Sequence, residues 1–328
     1  MEREITYCLT LYSFSREYVF GQYNLEECLA KGREMGYTGV ELVASQMVPG
    51  YPYPTRQWKQ EFKALLKKYN MHPVCYSAYI DMGTHSDRDL NESEIIQSTL
   101  NDMLIAKELG FDLVRTQHAI SPVVFEKMLD YCKKIGMKLA IEMHHPHNPE
   151  VPIWKEYLEI MDRSGGWLGI VPDFSIFAET PHILHIRQAV DEMGCREDKV
   201  KNIIRRHLAG ETEESVLLGD YSNAEKNFVR EVYEQYAPCK IEWLNTLIKN
   251  SFYVHGKFWY LEEGINDICI PYHKLMPRLK ELGYRGYVAS EYEGHHFNSS
   301  EEAAVQLRRF VTMCDRILHY TFKKEVRI

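Results

Sequence analysis

The chain has 328 residues, of which 45% are hydrophobic and 26% charged, with a formal net charge of −8. This is ordinary globular composition. The acidic balance argues against a nucleic-acid-binding surface, which carries a basic excess, and no run approaches the ~18 apolar residues of a membrane span.

In chain order, the opening segment MEREITYCLTLYSF has an early acid, a short apolar stretch and no small-residue cleavage site. It reads as a first strand, not a signal peptide. Strands are expected at 4–11, 38–44, 72–79, 112–117, 138–143, 168–173, 251–257 and 286–292. Between them, apolar residues at helical spacing predict helices over Asn24–Met35, Arg56–Tyr69, Glu92–Leu109, Pro122–Ile135 and Trp154–Arg163. A last helix, Glu301–Phe322, carries Ala304, Leu307, Phe310, Val311, Cys314, Ile317 and Leu318 on one face. One phrase recurs, a charged helix end followed by an apolar residue, Gly and a strand. It stands at Gly36, Gly110, Gly136 and Gly283, with Asn70 as a variant. Glycine accepts the left-handed backbone that ends a helix, Asn tolerates it, and lysines in the last turn suit the helix dipole. Repeated αβ units of this kind specify a parallel sheet. The expected fold is α/β, a (β/α)8 TIM barrel forming one domain over 1–328. Residues 179–250 are expected to form a helical excursion after strand six, built from Pro181–Met193, Glu197–Leu208 and Asn223–Asn250. That stretch is too long for an ordinary barrel loop. The eight cysteines form no C-x-x-C pair and read as buried, reduced thiols in a cytoplasmic protein.

Four apolar runs each finish on a residue able to bind a metal. They are LAIEMHHP (139–146), LGIVPDFS (168–175), SFYVHGKFW (251–259) and GYVASEYEG (286–294), and the residues are Glu142, Asp173, His255 and Glu291. Each lies near the C-terminal end of its strand, where a parallel barrel gathers its site. A charge in such a strand is costly unless paired or metal-bound. Taken singly, Glu142 reads equally as a partner of Lys138 or an arginine, and His255 as a hydrogen-bonded core histidine. Together, three carboxylates and an imidazole favour Mn²⁺, with Mg²⁺ or Co²⁺ as alternatives, over a structural zinc. His144 and His145 follow directly, and a histidine beside a metal-held oxygen is a general base or acid; His145 is placed ahead of His144. Lys257 faces the same way as His255 and reads as an oxyanion contact or as a salt bridge to Glu291 or Asp173. Gln117 and Tyr12 are further substrate-contact candidates, with His118, Glu41 and Glu293 as other polar residues at strand ends. The loop 47–53 (MVPGYPY), with Tyr12, Phe14, Tyr76, Tyr79 and Trp259, reads as an aromatic wall or as plain loop packing.

Glu142, Asp173, His255-Gly256-Lys257 and Glu291 resemble the Glu-Asp-His-Glu metal set of the xylose-isomerase-like barrel superfamily of sugar isomerases, epimerases and related enzymes. Two features depart from ketose epimerases. Asp173-Phe174-Ser175-Ile176-Phe177 lacks the Gly-His that usually follows the aspartate, and His144-His145-Pro146 is added. With the long helical segment, they look most like the large (alpha) subunit of bacterial C-glycoside deglycosidases. That resemblance implies Mn²⁺ and a small β-rich partner subunit in a hetero-oligomer. The implied substrate is a 3-oxo-C-glucoside of a flavonoid-like aromatic. The implied reaction is a lyase cleavage of the sugar–aglycone C–C bond through an enediolate, with His145 removing the C2 proton and His144 or a water assisting the leaving carbon. The alternative reading is a sugar isomerase or 3-epimerase using the same metal site. DNA-repair endonucleases of this fold need further His and Asp ligands; the Asp173 segment lacks the companion His, and the acidic net charge also disfavours them.

Overall fold

The computed structural model describes residues 5–117, 120–297 and 301–325. Its strands are β1 (Thr6–Thr10), β2 (Gly39–Val43), β3 (His72–Ser77), β4 (Leu113–Thr116), β5 (Lys138–Met143), β6 (Leu168–Pro172), β7 (Val254–Phe258) and β8 (Tyr287–Tyr292). All neighbours pair in parallel, in the order β6-β5-β4-β3-β2-β1-β8-β7. The two ends of this order meet through isolated bridges, Ile170 with Ser251 and Asp173 with His255, so the sheet forms a nearly closed (β/α)8 barrel.

The helices are α1 (Ser15–Val19), α2 (Leu25–Glu34), α3 (Ala44–Met47), α4 (Arg56–Tyr69), α5 (Glu92–Leu109), α6 (Pro122–Ile135), α7 (Pro152–Arg163), α8 (Ile183–Asp191), α9 (Glu197–Leu208), α10 (Glu213–Leu217), α11 (Asn223–Gln235), α12 (Trp243–Leu247), α13 (Tyr272–Glu281) and α14 (Ala303–Glu325). Local chemistry sets many of their ends. Asn24, Asn91 and Ser222 each accept from the backbone three residues on, and Glu27, Glu94 and Glu225 bond back to the cap. This capping box satisfies two otherwise unpaired N–H groups at each start. At the other end, Gly110 and Gly136 take φ of 96° and 71°, and Asn70 takes 49°, as the repeated helix-stop phrase requires.

Side chains alternate along each strand, and this alternation builds the interior in layers. Cys8, Cys75, Leu113, Ala140, Val171, Tyr253 and Ala289 pack together as a small apolar plug. Two residues further along the same chain segments stand Thr10, Ser77, Arg115, Glu142, Asp173, His255 and Glu291, all buried. Glu41 on β2 is buried with them. The opposite strand faces and the helices share the larger hydrophobic core.

The segment between β6 and β7 differs in detail from its sequence pattern. Asn223–Asn250 is not one helix. α11 stops at Gln235, Tyr236 is extended, and the chain turns helical again only at Trp243. Pro238 has no N–H to continue a helix and disfavours helical backbone at Ala237. The five-residue α10 is too short to show a period. The 47–53 loop does not reach the interior cavity. Tyr51 bonds Asp102 on α5, and Tyr53 is 78% exposed. Phe14 and Tyr76 are core residues, not wall residues. His118 and Glu4 lie outside the described residues.

Closure between β6 and β7 depends on Gly169. A Cβ there would stand 2.7 Å from the carbonyl oxygen of Asn250 and 2.5 Å from the Phe252 ring. The backbone atom cannot swing aside, and Phe252 N–H donates to the Ile170 carbonyl beside it at 3.2 Å. Gly169→Ala is therefore expected to destabilise the protein by about 1–3 kcal/mol, the usual range for overpacking. An unchanged midpoint in denaturant unfolding would refute the close approach.

Candidate active site

Glu142 on β5, Asp173 just beyond β6, His255 on β7 and Glu291 on β8 bring one ligand atom each to within 4.8 Å of all the others, and all four are buried. His255 is the hub. Its Nε2 lies 2.8 Å from Glu41 Oε2 and 3.3 Å from the Tyr253 hydroxyl. Its Nδ1 lies 2.9 Å from Glu142 Oε1 and 3.3 Å from Glu291 Oε2. A carboxylate on the far nitrogen fixes the ring and leaves the near nitrogen for a cation, the usual arrangement of a metal-ligating histidine. Asp173 is held by its own turn, its Oδ1 accepting from Ser175 N–H at 2.7 Å.

Two buried cations manage this negative charge. Arg115 on β4 donates through Nε to Glu41 Oε1 at 3.1 Å and through Nη1 to Glu142 Oε2, and it also reaches the hydroxyls of Ser77 and Tyr79. Lys257 Nζ lies 2.8 Å from Glu291, 2.7 Å from Glu293 and 3.4 Å from Asp173. The salt bridges read as an alternative for Lys257 are thus present, and the partner of Glu142 is Arg115, not Lys138. The carboxyl groups of Glu41, Glu142, Asp173, Glu291 and Glu293 still outnumber these two cations.

The proton affinities follow from burial and from which charges each group faces. Burial pushes the Glu142 carboxyl up, but Arg115 and His255 outweigh it and bring it down to about 2. Glu291 is held well below the usual carboxylate range, the opposing push of burial being overcome by Lys257 and His255. Burial dominates at Asp173, with Glu291 and Glu142 adding to it, and pushes it up to about 7 despite Lys257. Burial works against the His255 imidazolium, yet Glu41 and Glu291 hold the ring well above its ordinary value.

These residues fit a divalent cation. Asp173 Oδ2, His255 Nδ1 and Glu291 Oε2 are buried without a well-formed hydrogen bond, although opposite charges stand within 2.8–3.4 Å of each. Buried polar atoms are rarely left so, and a cation among them would satisfy all three at once. Oxygen-rich ligands with one imidazole suit a hard or borderline divalent ion.

Above the cluster opens a cavity of about 460 Å³, lined by both Glu142 and Glu291. His144 and His145 form one side of it, with Ser175 beside them; Tyr12, Tyr79, Trp259, Gln117, Lys257 and Glu293 also line it. The sequence-derived site residues thus converge on one cavity, with Asp173 and His255 in the buried cluster beneath. His145 N–H donates to Ser175 Oγ at 3.1 Å, and His144 Nδ1 lies 2.7 Å from the His145 carbonyl. Burial and the neighbouring His144 hold the His145 ring below its ordinary value. Trp259 is backed by His182, whose ring stacks on it at 4.6 Å and 11°. Arg115, Ser175, Gln235 and Tyr236 belong to the site and escaped the sequence reading. A charge inside the apolar strand Leu113-Val114-Arg115-Thr116 was a usable signal; no local pattern marks the other three.

A profile described as the xylose isomerase-like TIM barrel matches residues 29–313. The chain is 27% identical over 325 residues to the 3'-dehydrocarminate deglycosidase alpha subunit of Microbacterium sp, covering 90% of each chain. It is 24% identical to a C-glycoside deglycosidase alpha subunit of Arthrobacter globiformis, covering 90% of this chain and 85% of the relative. Among solved structures, a sugar phosphate isomerase/epimerase from Parabacteroides distasonis superposes with a TM-score of 0.55 at 13% identity, over 94% of this chain and 92% of the other. That last likeness concerns the fold.

Removing either His255 or Asp173 by alanine substitution is expected to abolish stoichiometric metal after dialysis against a fixed free concentration of Mn²⁺. Glu41→Gln keeps all four ligands and is expected to weaken affinity about 10–100-fold, as loss of an orienting carboxylate does elsewhere. Elemental analysis reads both; wild-type metal content in His255→Ala or Asp173→Ala would refute the cluster as a metal site.

Proposed function

The chain belongs to the xylose isomerase-like TIM barrel family, and from that premise we propose that it is a metal-dependent carbon–carbon lyase. It cleaves the bond between the sugar and the aromatic aglycone of a 3-oxo-C-glycoside. Action on sugars is supported by the family and by relatives named as deglycosidases. The observation that carries the lyase reading is the His144-His145 pair on the cavity wall beside a buried Glu142, Asp173, His255 and Glu291 cluster.

Glu142, Asp173, His255 and Glu291 would hold the ion, Mn²⁺ by ligand type, with Mg²⁺ or Co²⁺ as alternatives. When bound, such an ion supplies Lewis-acid polarisation of a keto oxygen and so acidifies the neighbouring C–H. The chain's own residues do the rest. His145 takes the C2 proton of the 3-oxo sugar. Its ring is held below its usual proton affinity by burial and by His144, so it is a free base at neutral pH, as a general base must be. Ser175 fixes the backbone from which it projects. Lys257 sits where its ammonium steadies negative charge developing on the sugar oxygens. Gln117 and Tyr12 contact sugar hydroxyls, and Tyr12 is itself held at 2.8 Å by His296 Nε2. Trp259, pinned by His182, offers a flat face to an aromatic aglycone.

The alternative, a sugar isomerase or 3-epimerase, is less well supported. In it Glu142 and Glu291 would have to carry protons. Burial opposes their ionised forms, but Arg115, Lys257 and His255 keep both ionised, Glu142 at about 2, so they are poor proton carriers near neutrality. The relatives' printed name, alpha subunit, supports a small partner subunit and a hetero-oligomer for this chain as well.

The complex purified through this chain, loaded with Mn²⁺, should release free aglycone from a 3-oxo-C-glucoside of a flavonoid, read by chromatography. Epimerisation of free ketoses with no aglycone release would overturn the lyase reading. His145→Ala should lower turnover about 10²–10⁴-fold with bound metal unchanged, and wild-type turnover in that variant would remove His145 from its role.

A further inference from the structure

A carbon leaving group is a poor one, so the lyase reading requires an acid on the aglycone side, for which the sequence offers His144 or a water. The cavity wall contributed by the segment between β6 and β7 holds a candidate. Tyr236 lines the cavity although it is only 6% exposed. It follows α11, and its backbone is extended and pinned on both sides, Tyr236 N–H to the Val232 carbonyl at 3.0 Å and Ala237 N–H to the Ala178 carbonyl at 3.2 Å. Its hydroxyl lies 3.0 Å from Nδ1 of His185, and Nε2 of that ring lies 3.3 Å from Glu231 Oε2. His185 is itself buried and fixed in the first turn of α8, where its N–H donates to His182 Nδ1 at 3.1 Å. Glu231 has a side chain 35% exposed. A hydroxyl, an imidazole and a carboxylate are thus joined in series between a residue that lines the cavity and one that reaches solvent, with Phe228 packed against the His185 ring. Core packing alone needs no such line, since three apolar groups would fill the same space without the cost of desolvating polar ones.

We propose that Tyr236 is the acid that protonates the departing aglycone carbon, with His185 and Glu231 as the positioning residues that hold it; this rests on the lyase reading above. His145 takes the proton from C2, and that electron pair forms the C1–C2 double bond of the sugar. The bond from C1 to the aglycone breaks, its electron pair stays on the aglycone carbon, and the Tyr236 proton is delivered there. Glu231 holds the His185 proton on Nε2, so Nδ1 accepts the phenolic O–H at rest and fixes the hydroxyl until that proton is given to the aglycone carbon. When Tyr236 has given up its proton and the aglycone has left, solvent in the open cavity returns a proton to the tyrosinate oxygen. No oxidant or water molecule is consumed. Burial holds the Tyr236 hydroxyl well above its ordinary value, so it enters each turnover protonated.

The test compares two leaving groups in the Mn²⁺-loaded complex. A 3-oxo-C-glucoside needs the acid; a 4-nitrophenyl 3-oxo-O-glucoside does not, because nitrophenolate leaves without a proton. Tyr236→Phe should slow the C-glucoside about 10²–10³-fold, while the nitrophenyl glucoside changes by less than about threefold. Exchange of the C2 proton with deuterated solvent, which needs only the base, should persist in the variant. His185→Gln should show the same split at a smaller size, about tenfold. If both substrates slow together, or neither does, Tyr236 is not the acid and the proposal falls. If the wild-type complex cleaves neither substrate and exchanges no C2 proton, the lyase reading fails and takes this one with it, an outcome visible before any variant is made.

Discussion

Carboxylates sealed inside a barrel set the terms for the rest of this structure. Taking an ionised group out of water is expensive unless charge and hydrogen bonds replace the solvent. Here Glu41, Glu142, Asp173 and Glu291 are all buried in one layer. The compensation is built from the same strands. Arg115 joins Glu41 to Glu142, and His255 joins Glu41 to the two carboxylates on its other side. Lys257 joins Asp173, Glu291 and Glu293. Each charged group is therefore fixed by at least one other, and moving any of them strands a partner. That mutual fixing gives the cluster the rigidity that a metal centre needs. It also leaves a surplus of negative charge, which suits the cluster to holding a cation.

Much of this was legible in the sequence, because a parallel barrel converts position along a strand into depth. The helix-stop phrases at Gly110, Gly136 and Asn70 gave the repeat, and the repeat gave the strands. The strand ends then gave Glu142, His255 and Glu291, with Asp173 one residue beyond β6. Arg115 lies near a strand end too, but it ends no long apolar run. The rule was incomplete. Stepping two residues from Cys75, Leu113, Ala140, Val171, Tyr253 and Ala289 lands on the charged or polar layer each time. The alternation of side chains, more than the strand end, is what places a residue in the site.

What the sequence concealed lies outside the sheet. Gln235 and Tyr236 reach the cavity because α11 stops and the chain turns back toward Ala178. No periodicity encodes that approach, which depends on how α8, α9 and α11 pack on one another. Read alone, the segment resembled a longer helix, and Tyr236 resembled one more tyrosine in a chain with 22. Its partners His185 and Glu231 are 51 and 5 positions away, on another helix and on its own. Pairings of that kind are set by tertiary packing, and local reading has no access to them.

The two parts of the site therefore answer to different constraints. The floor is made of strand residues whose charges hold one another, and any change there disturbs several partners at once. The wall between β6 and β7 is tied to the floor through Ser175, whose N–H donates to Asp173 Oδ1 and whose hydroxyl accepts from His145 N–H. A fixed floor suits the step common to enediol chemistry, the loosening of a proton beside a carbonyl. A wall built on separate helices suits the step that varies, the handling of whatever leaves. Environments that push proton affinities apart identify acids and bases in a site. Glu142 and Glu291 are driven down by Arg115 and Lys257 against burial, His145 is driven down by burial and His144, and Tyr236 is driven up by burial. The ordering leaves Glu142 and Glu291 as anions, His145 as a free base and Tyr236 as a protonated phenol, the set of states that the proposed elimination with a carbon leaving group demands.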